Sequence, residues 1–195
     1  YVKSNVNARH MIVAPNGDLL IAGEDVIKSP SKISVALSTD DGATFSRMPL
    51  TTGLDEYGTN PILVAADTDY ATNNLIYVAH TDGDEANILR WEVGGDYEVW
   101  EDIGTAYYKA STTTPMTSSE VISGLVAYEG MLYIAYYNSD NVSGFISTNT
   151  PTVKRTSVTW GGGPGSTDAQ VGATLSGVTF GLMPQALKVS SGSIK

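Results

Sequence analysis

An all-β fold is what this sequence predicts, and three observations lead there. Helical periodicity is nearly missing. Short apolar or alternating runs bounded by Gly, Asn, Asp and Pro take its place, which reads as strands and turns. One apolar–turn–apolar segment recurs without a gap: Ile12-Val13-Ala14-Pro15-Asn16-Gly17-Asp18-Leu19-Leu20-Ile21-Ala22 lies on Leu125-Val126-Ala127-Tyr128-Glu129-Gly130-Met131-Leu132-Tyr133-Ile134-Ala135. A third copy falls between them with a longer turn, Pro61 to Ala66 and then Leu75 to Ala79. The closing alanines Ala22, Ala79 and Ala135 therefore stand about 57 residues apart in both steps.

In the first unit, residues 8–60, the hairpin is followed by outer strands at Lys32 to Leu37 and Thr44 to Met48. Gly17 sits in the hairpin turn because a two-residue turn needs positive φ, which glycine adopts freely; Gly130 holds the same place in the third unit. The second unit, 61–120, continues with Asn87 to Val93 and Tyr97 to Ile103. The third, 121–170, continues with Ser143 to Ser147 and Val153 to Trp160. Four antiparallel strands per unit, repeated at near-constant spacing, is the signature of a β-propeller, whose blades take roughly 40–50 residues; longer loops account for the excess. In residues 171–195, Leu187 to Lys195 lies on Leu125 to Tyr133, with Gly192 on Gly130. The expectation is a single β-propeller domain over 1–195 with about three and a half blades, part of a larger ring. A blade that stops in its second strand leaves an open sheet edge. The remainder of the same polypeptide or a second chain is expected to complete it, unless the last strand pairs with the N-terminal segment.

Composition narrows the function classes. Among 195 residues, 21 Asp and Glu outnumber 11 Lys and Arg, giving a net charge of −10. A domain this acidic repels phosphate backbones, so nucleic acid is not an expected partner. No apolar run approaches the roughly 20 residues of a membrane span. Absence of cysteine excludes disulfides, thiolate zinc sites and cysteine nucleophiles. An acidic, cysteine-free chain rich in Ser, Thr, Gly and Asn fits an extracellular or cell-surface setting. The sequon Asn141-Val142-Ser143 adds little. With Tyr1 in place of an initiator Met, the chain is read as mature, processed or cut from something longer.

One octapeptide is specific. Ser38-Thr39-Asp40-Asp41-Gly42-Ala43-Thr44-Phe45 fits Ser-x-Asp-x-Gly-x-Thr-aromatic and resembles the Asp-box of sialidase-type (BNR) repeat propellers. The residues suit a turn: an Asp carboxylate accepts backbone N–H groups of its own turn, Gly42 takes positive φ, and Phe45 packs under the hairpin. The resemblance implies a fold-stabilising corner between the third and fourth strands of a blade, away from any active site. Ser38, Asp40, Gly42, Thr44 and Phe45 are thus structural residues. The third unit keeps a trace, Ser147-Thr148-Asn149, and the second has Gly94-Gly95-Asp96 at that corner. The segment Asp67 to Asn74 resembles the first-hairpin turn of related secreted repeat propellers.

A sialidase resemblance would imply three arginines gripping a carboxylate, a Tyr/Glu nucleophile pair and an acid Asp. Of Arg9, Arg47, Arg90 and Arg155, only Arg9 precedes an innermost strand; solvated or salt-bridged surface positions are expected for each. Asp-box propellers also include xyloglucan-type glycosidases, which use paired carboxylates at a set separation. Asp55, Glu56, Asp67, Asp69 and Glu120 are candidates for such pairs, and solvated loop carboxylates are their expected state. Asp67, Asp69, Asp82 and Asp84 raise calcium, but neither cluster has a full calcium-loop pattern, so no metal or other cofactor is expected. His10 and His80 fall on different blades and read as packed or surface residues. Gly161 to Gly165 lacks the Lys-Ser/Thr of a phosphate loop and reads as an inter-blade connection. Tyr77, Trp91, Tyr97, Trp100, Tyr133, Tyr136 and Tyr137 alternate on strands and read as inter-blade core, with some available to stack on sugars.

No catalytic set assembles from these residues. The leading expectation is a non-catalytic extracellular or cell-surface β-propeller module for binding or assembly, with carbohydrate among its ligands. One alternative is part of a sialidase-like or xyloglucanase-like glycoside hydrolase propeller. The other is a cell-envelope lattice or filament subunit.

Overall fold

In a computed structural model of the chain, the described residues are 4–27, 32–48, 61–82, 85–95, 100–105, 120–128, 131–138, 143–149, 171–173, 189–190 and 193–194. Strands β1 (Val6–Val13), β2 (Leu19–Asp25), β3 (Ile33–Ser38) and β4 (Ser46–Arg47) form one antiparallel sheet in sequence order. A second meander follows in β5 (Ile62–Ala66), β6 (Leu75–Asp82), β7 (Glu85–Glu92) and β8 (Glu101–Thr105), with a four-residue helix α1 (Tyr70–Asn73) between its first two strands. The third comprises β9 (Glu120–Tyr128), β10 (Met131–Asn138), β11 (Ser143–Asn149) and β12 (Val171–Ala173). A short hairpin of β13 (Val189–Ser190) and β14 (Ser193–Ile194) begins a further unit.

The fourth strand of the third sheet differs from the sequence reading. It is Val171–Ala173, just past the repeat boundary drawn at 170, while the expected strand at 153–160 lies outside the described residues. Gly130, Gly192 and Arg155 also lie outside them. The Gly17 turn is longer than expected. Ala14 N–H donates to the Asp18 carbonyl at 2.8 Å, enclosing three residues rather than two. Gly17 at φ +96° closes this loop, and the Asn16 side chain ties it down by accepting the Asp18 N–H. Three-residue hairpin loops of this kind place their positive-φ residue last, which is why glycine stands there.

Strand alternation gives each sheet two apolar faces, and these faces meet. Leu20, Ala22, Ile33 and Val35 of the first sheet share one buried cluster with Ile62, Val64, Ile76, Val78, Leu89 and Trp91 of the second. The opposite face of the second sheet, with Leu63, Ala65, Tyr77, Ala79 and Ile88, packs on Ile122, Leu125, Ala127 and Leu132 of the third. Inner strands adjoin inner strands: β1 lies beside β5, and β5 beside β9. Consecutive four-stranded meanders packed face to face, first strands innermost, are the blades of a β-propeller. Residue by residue this follows from period-two patterning with both phases apolar, as sheets covered on both sides require. Trp91 and Trp100 lie in the first seam with ring centroids 5.3 Å apart at 51°, a tilted aromatic pair.

Candidate functional site

A meander places its first and third turns at one end of the blade and its second turn and outgoing connection at the other. The turn end holds the Gly17 loop, the 67–74 segment and the Ser38–Phe45 corner. In that corner Asp40 accepts from the Thr44 N–H at 2.8 Å, the Thr44 hydroxyl at 2.6 Å and the Ser38 hydroxyl at 2.7 Å. The Gly42 N–H in turn donates to Ser38 Oγ at 2.9 Å. These donors all favour the ionised carboxylate, and they lower the Asp40 pKa from 3.8 to about 2. Asp41 at φ 55° and Gly42 at φ +84° make the corner, and a Cβ at Gly42 would meet Leu19 Cδ1 at 3.2 Å. Phe45 packs on Val6, Ile21 and Ala36 beneath the hairpin. Every polar atom of Asp40 is thus occupied by its own turn.

The 67–74 segment corrects the expectation of solvated loop carboxylates at Asp67. This residue is 1 % exposed. Its Oδ2 accepts from the buried Tyr77 hydroxyl at 2.8 Å and its Oδ1 from the Asp69 N–H at 3.0 Å. Asp69 itself is exposed at the start of α1, its carbonyl accepting from Thr72 and Asn73. Asn74, in the left-handed region at φ 54°, ends the helix. The segment also reaches both neighbouring blades. The Tyr70 hydroxyl approaches Asp18 Oδ2 at 3.4 Å, and Thr68 Oγ1 donates to the Ala127 carbonyl at 3.3 Å. Burial, with the Asp18 carboxylate nearby, raises the Tyr70 phenol well above its ordinary value. Among the described residues no group of three or more His, Asp or Glu side chains is placed to hold a metal ion.

The opposite end, where inner strands begin, is built differently. The β1–β2 register shifts between Ala8 and His10, leaving Arg9 as a bulge. Gly23 makes the bulge feasible: a Cβ there would collide with the Asn7 carbonyl. The exposed Asn7 amide donates to Glu24 Oε2 at 3.3 Å beside it. In the third blade the β9–β10 register shifts between Ala135 and Tyr136, which bulges Ser123 at the equivalent position. Bulges re-aim side chains and concentrate at strand ends next to binding sites. Sequence periodicity alone could not reveal them, although a glycine amid the apolar β2 run was a usable signal.

The arginines separate. Arg9 is exposed on the bulge. Arg47 Nη1 pairs with Asp25 at 2.7 Å, with Asp25 fully buried. Arg90, expected on the surface, is 1 % exposed in β7, because β7 is covered on both faces. The two histidines, read from the sequence as packed or surface residues on different blades, face the same seam. Val64 N–H donates to His10 Nδ1 at 3.1 Å, and the buried His80 pairs with Ile62 on the sheet face turned to the first blade. Burial lowers the His10 pKa. Asp55, Glu56 and Asp84 lie outside the described residues, and Glu120 and Asp82 are described as strand positions only.

No protein-family model matches the chain, and no curated protein is significantly similar to it in sequence. Several solved structures resemble it. The PQQ-bound aldose sugar dehydrogenase of Streptomyces coelicolor superposes with a TM-score of 0.50 at 16% identity, over 77% of this chain and 46% of that one. The α-L-arabinanase of Penicillium chrysogenum, in complex with arabinobiose, gives a TM-score of 0.46 at 17% identity, over 77% of this chain and 47% of that one. An α-L-arabinofuranosidase of Fusarium graminearum gives 0.48 at 14% identity, over 80% and 48%. The chain thus spans about half the length of these proteins. Among the described residues no helix is long and apolar enough to cross a membrane. At 16% identity the likeness to the dehydrogenase speaks to the fold alone, and it agrees with the β-propeller that the three meanders build.

Proposed function

We propose that the chain is a non-catalytic, extracellular or cell-surface propeller module that binds carbohydrate at the end where its inner strands begin. The observation that carries this reading is the Arg9 bulge beside Asn7 and Glu24, held open by Gly23 and repeated in register at Ser123. It places exposed polar groups at an inner-strand mouth, while at the other end Asp40 is held by its own turn and Asp67 by the Tyr77 hydroxyl and the Asp69 N–H. The Ser38–Phe45 corner is read here as an Asp-box with a structural role. The module acts without a metal or other cofactor.

The remainder of the same polypeptide or a second chain completes the ring. In support, Met11 and Val13 are 62% and 66% exposed on the face of the first blade turned away from the second. The matching positions of the second blade, Val64 and Ala66, pack against the first. The experiment is a calorimetric titration of the chain with arabino- and xyloglucan-oligosaccharides, repeated on a variant carrying Asn7→Ala and Arg9→Ala. Loss of binding in the variant alone is expected. Unchanged binding would remove the site from this end.

A second reading starts from the similar structures, which include an α-L-arabinanase in complex with arabinobiose and an α-L-arabinofuranosidase. Under it, this chain is part of a glycoside hydrolase propeller. Catalytic carboxylates would then be supplied among Asp55, Glu56 and Glu120 or by the rest of the ring.

A further inference from the structure

The first two blades are joined by a hydrogen bond whose direction makes it sensitive to a proton. Val64 N–H, on the inner strand β5, donates to His10 Nδ1 on the inner strand β1 at 3.1 Å. An imidazole nitrogen that accepts carries no proton, so His10 must be neutral with its hydrogen on Nε2. The imidazolium has N–H at both positions. Protonation would set two donors head to head across the seam and leave a strand N–H without its acceptor, inside an apolar cluster of Ile12, Ala22, Ile62 and Val64.

We propose that His10 is an acid-sensitive latch: a proton on its imidazole releases Val64 and loosens the seam between the first and second blades.

Of the groups around it, the Glu24 carboxylate would favour the imidazolium, and the others oppose it. From β2, Glu24 lies on the same face two residues beyond Ala22, the partner of His10, and its Oε2 accepts from Asn7. From β6, His80 faces the seam opposite Ile62; charging it as well would add like charge. The β5 segment Ile62–Ala66 and the β3 segment Ile33–Ser38 contain no titratable residue. Arg9, next to His10 on the bulge, is a cation and favours the neutral ring. Burial acts in the same direction. The sign follows. With the closed-seam pKa below the unfolded value of 6.5, opening takes up a proton, so the latch holds above that value and weakens as pH falls towards the closed-seam pKa. Within that window the opening constant rises about tenfold per pH unit. The consequence is a module whose blades stay joined at neutral pH and separate locally in an acidic compartment.

The test is hydrogen exchange at the Val64 amide of the intact chain between pH 7 and pH 5, expressed as protection relative to the intrinsic rate. Protection is expected to fall about tenfold per pH unit below 6.5. In His10→Gln, whose side-chain oxygen accepts without titrating, the dependence should vanish while protection at neutral pH is kept. In His80→Gln the dependence should remain. Flat protection in the wild type, or a dependence surviving in His10→Gln, overturns the proposal. Should His10→Gln not fold, the imidazole 15N shifts of the wild type decide: a hydrogen on Nε2 at neutral pH supports the latch, and one on Nδ1 refutes it.

Discussion

Asp67 offers the sharpest contrast between a carboxylate used for chemistry and one used for structure. Its two oxygens accept from the buried Tyr77 hydroxyl at 2.8 Å and the Asp69 N–H at 3.0 Å. Replacing Tyr77 with Phe deletes one bond and leaves Oδ2 buried without that donor, at a cost of about 1–3 kcal/mol. Asp67→Ala deprives both donors at once, and about 3 kcal/mol is expected. Because the two side chains share one bond, the double variant should cost less than the sum, with a coupling of about 1–2 kcal/mol. Urea unfolding followed by tryptophan fluorescence measures each term, since Trp91 and Trp100 report from the adjoining seam. Calcium should leave all four midpoints unchanged. A coupling below about 0.3 kcal/mol would refute the shared bond, and a midpoint raised by calcium in the wild type but not in Asp67→Ala would return Asp67 to the metal ligands.

Three further outcomes follow from the packing and the turns. Leu20→Ala, fully buried in the first seam, should destabilise by about 3 kcal/mol in denaturant titrations, while Met11→Ala on the exposed face should stay within about 0.5 kcal/mol of wild type. Gly23→Ala must push Asn7 of β1 away from β2 and should cost about 2 kcal/mol with loss of the bulge; amide exchange of β1 checks the displacement. The depressed Asp40 pKa means that the folded state binds that proton less readily than the unfolded chain. Its stabilisation is therefore present above pH 3.8 and lost as pH falls through about 2, and Asp40→Asn should flatten the pH dependence of the melting temperature over that range.

The blade architecture was legible because it rests on repeated local rules. Ile12–Ala22 and Leu125–Ala135 are both apolar–turn–apolar runs and both form inner hairpins, but the longer first turn sets the first strand one residue out of the gapless alignment: Val13 pairs with Leu19, whereas Leu132 pairs with Ala127 and not Val126. The Ser38–Phe45 corner was legible because its side chains bond only within a few residues of one another. What escaped depends on other blades. His10 and His80 are far apart in sequence, and only the packing of β5 on β1 turns them to one seam. The helical turn at Tyr70–Asn73 is too short for periodicity to register, and its link to Asp18 is a tertiary contact. The Arg9 bulge required knowledge of the register, since a single extra residue leaves the apolar pattern almost intact.

Reducing-end release separates binding without turnover from hydrolysis. The homogeneous chain, at high concentration and over days, would be incubated with arabinan, xyloglucan and a sialylated glycan. Release is expected to be indistinguishable from the buffer control while the same preparation still binds oligosaccharide by calorimetry. Sustained release that scales with chain concentration, and that disappears when an inner-strand carboxylate such as Glu120 is replaced by Gln, would contradict it.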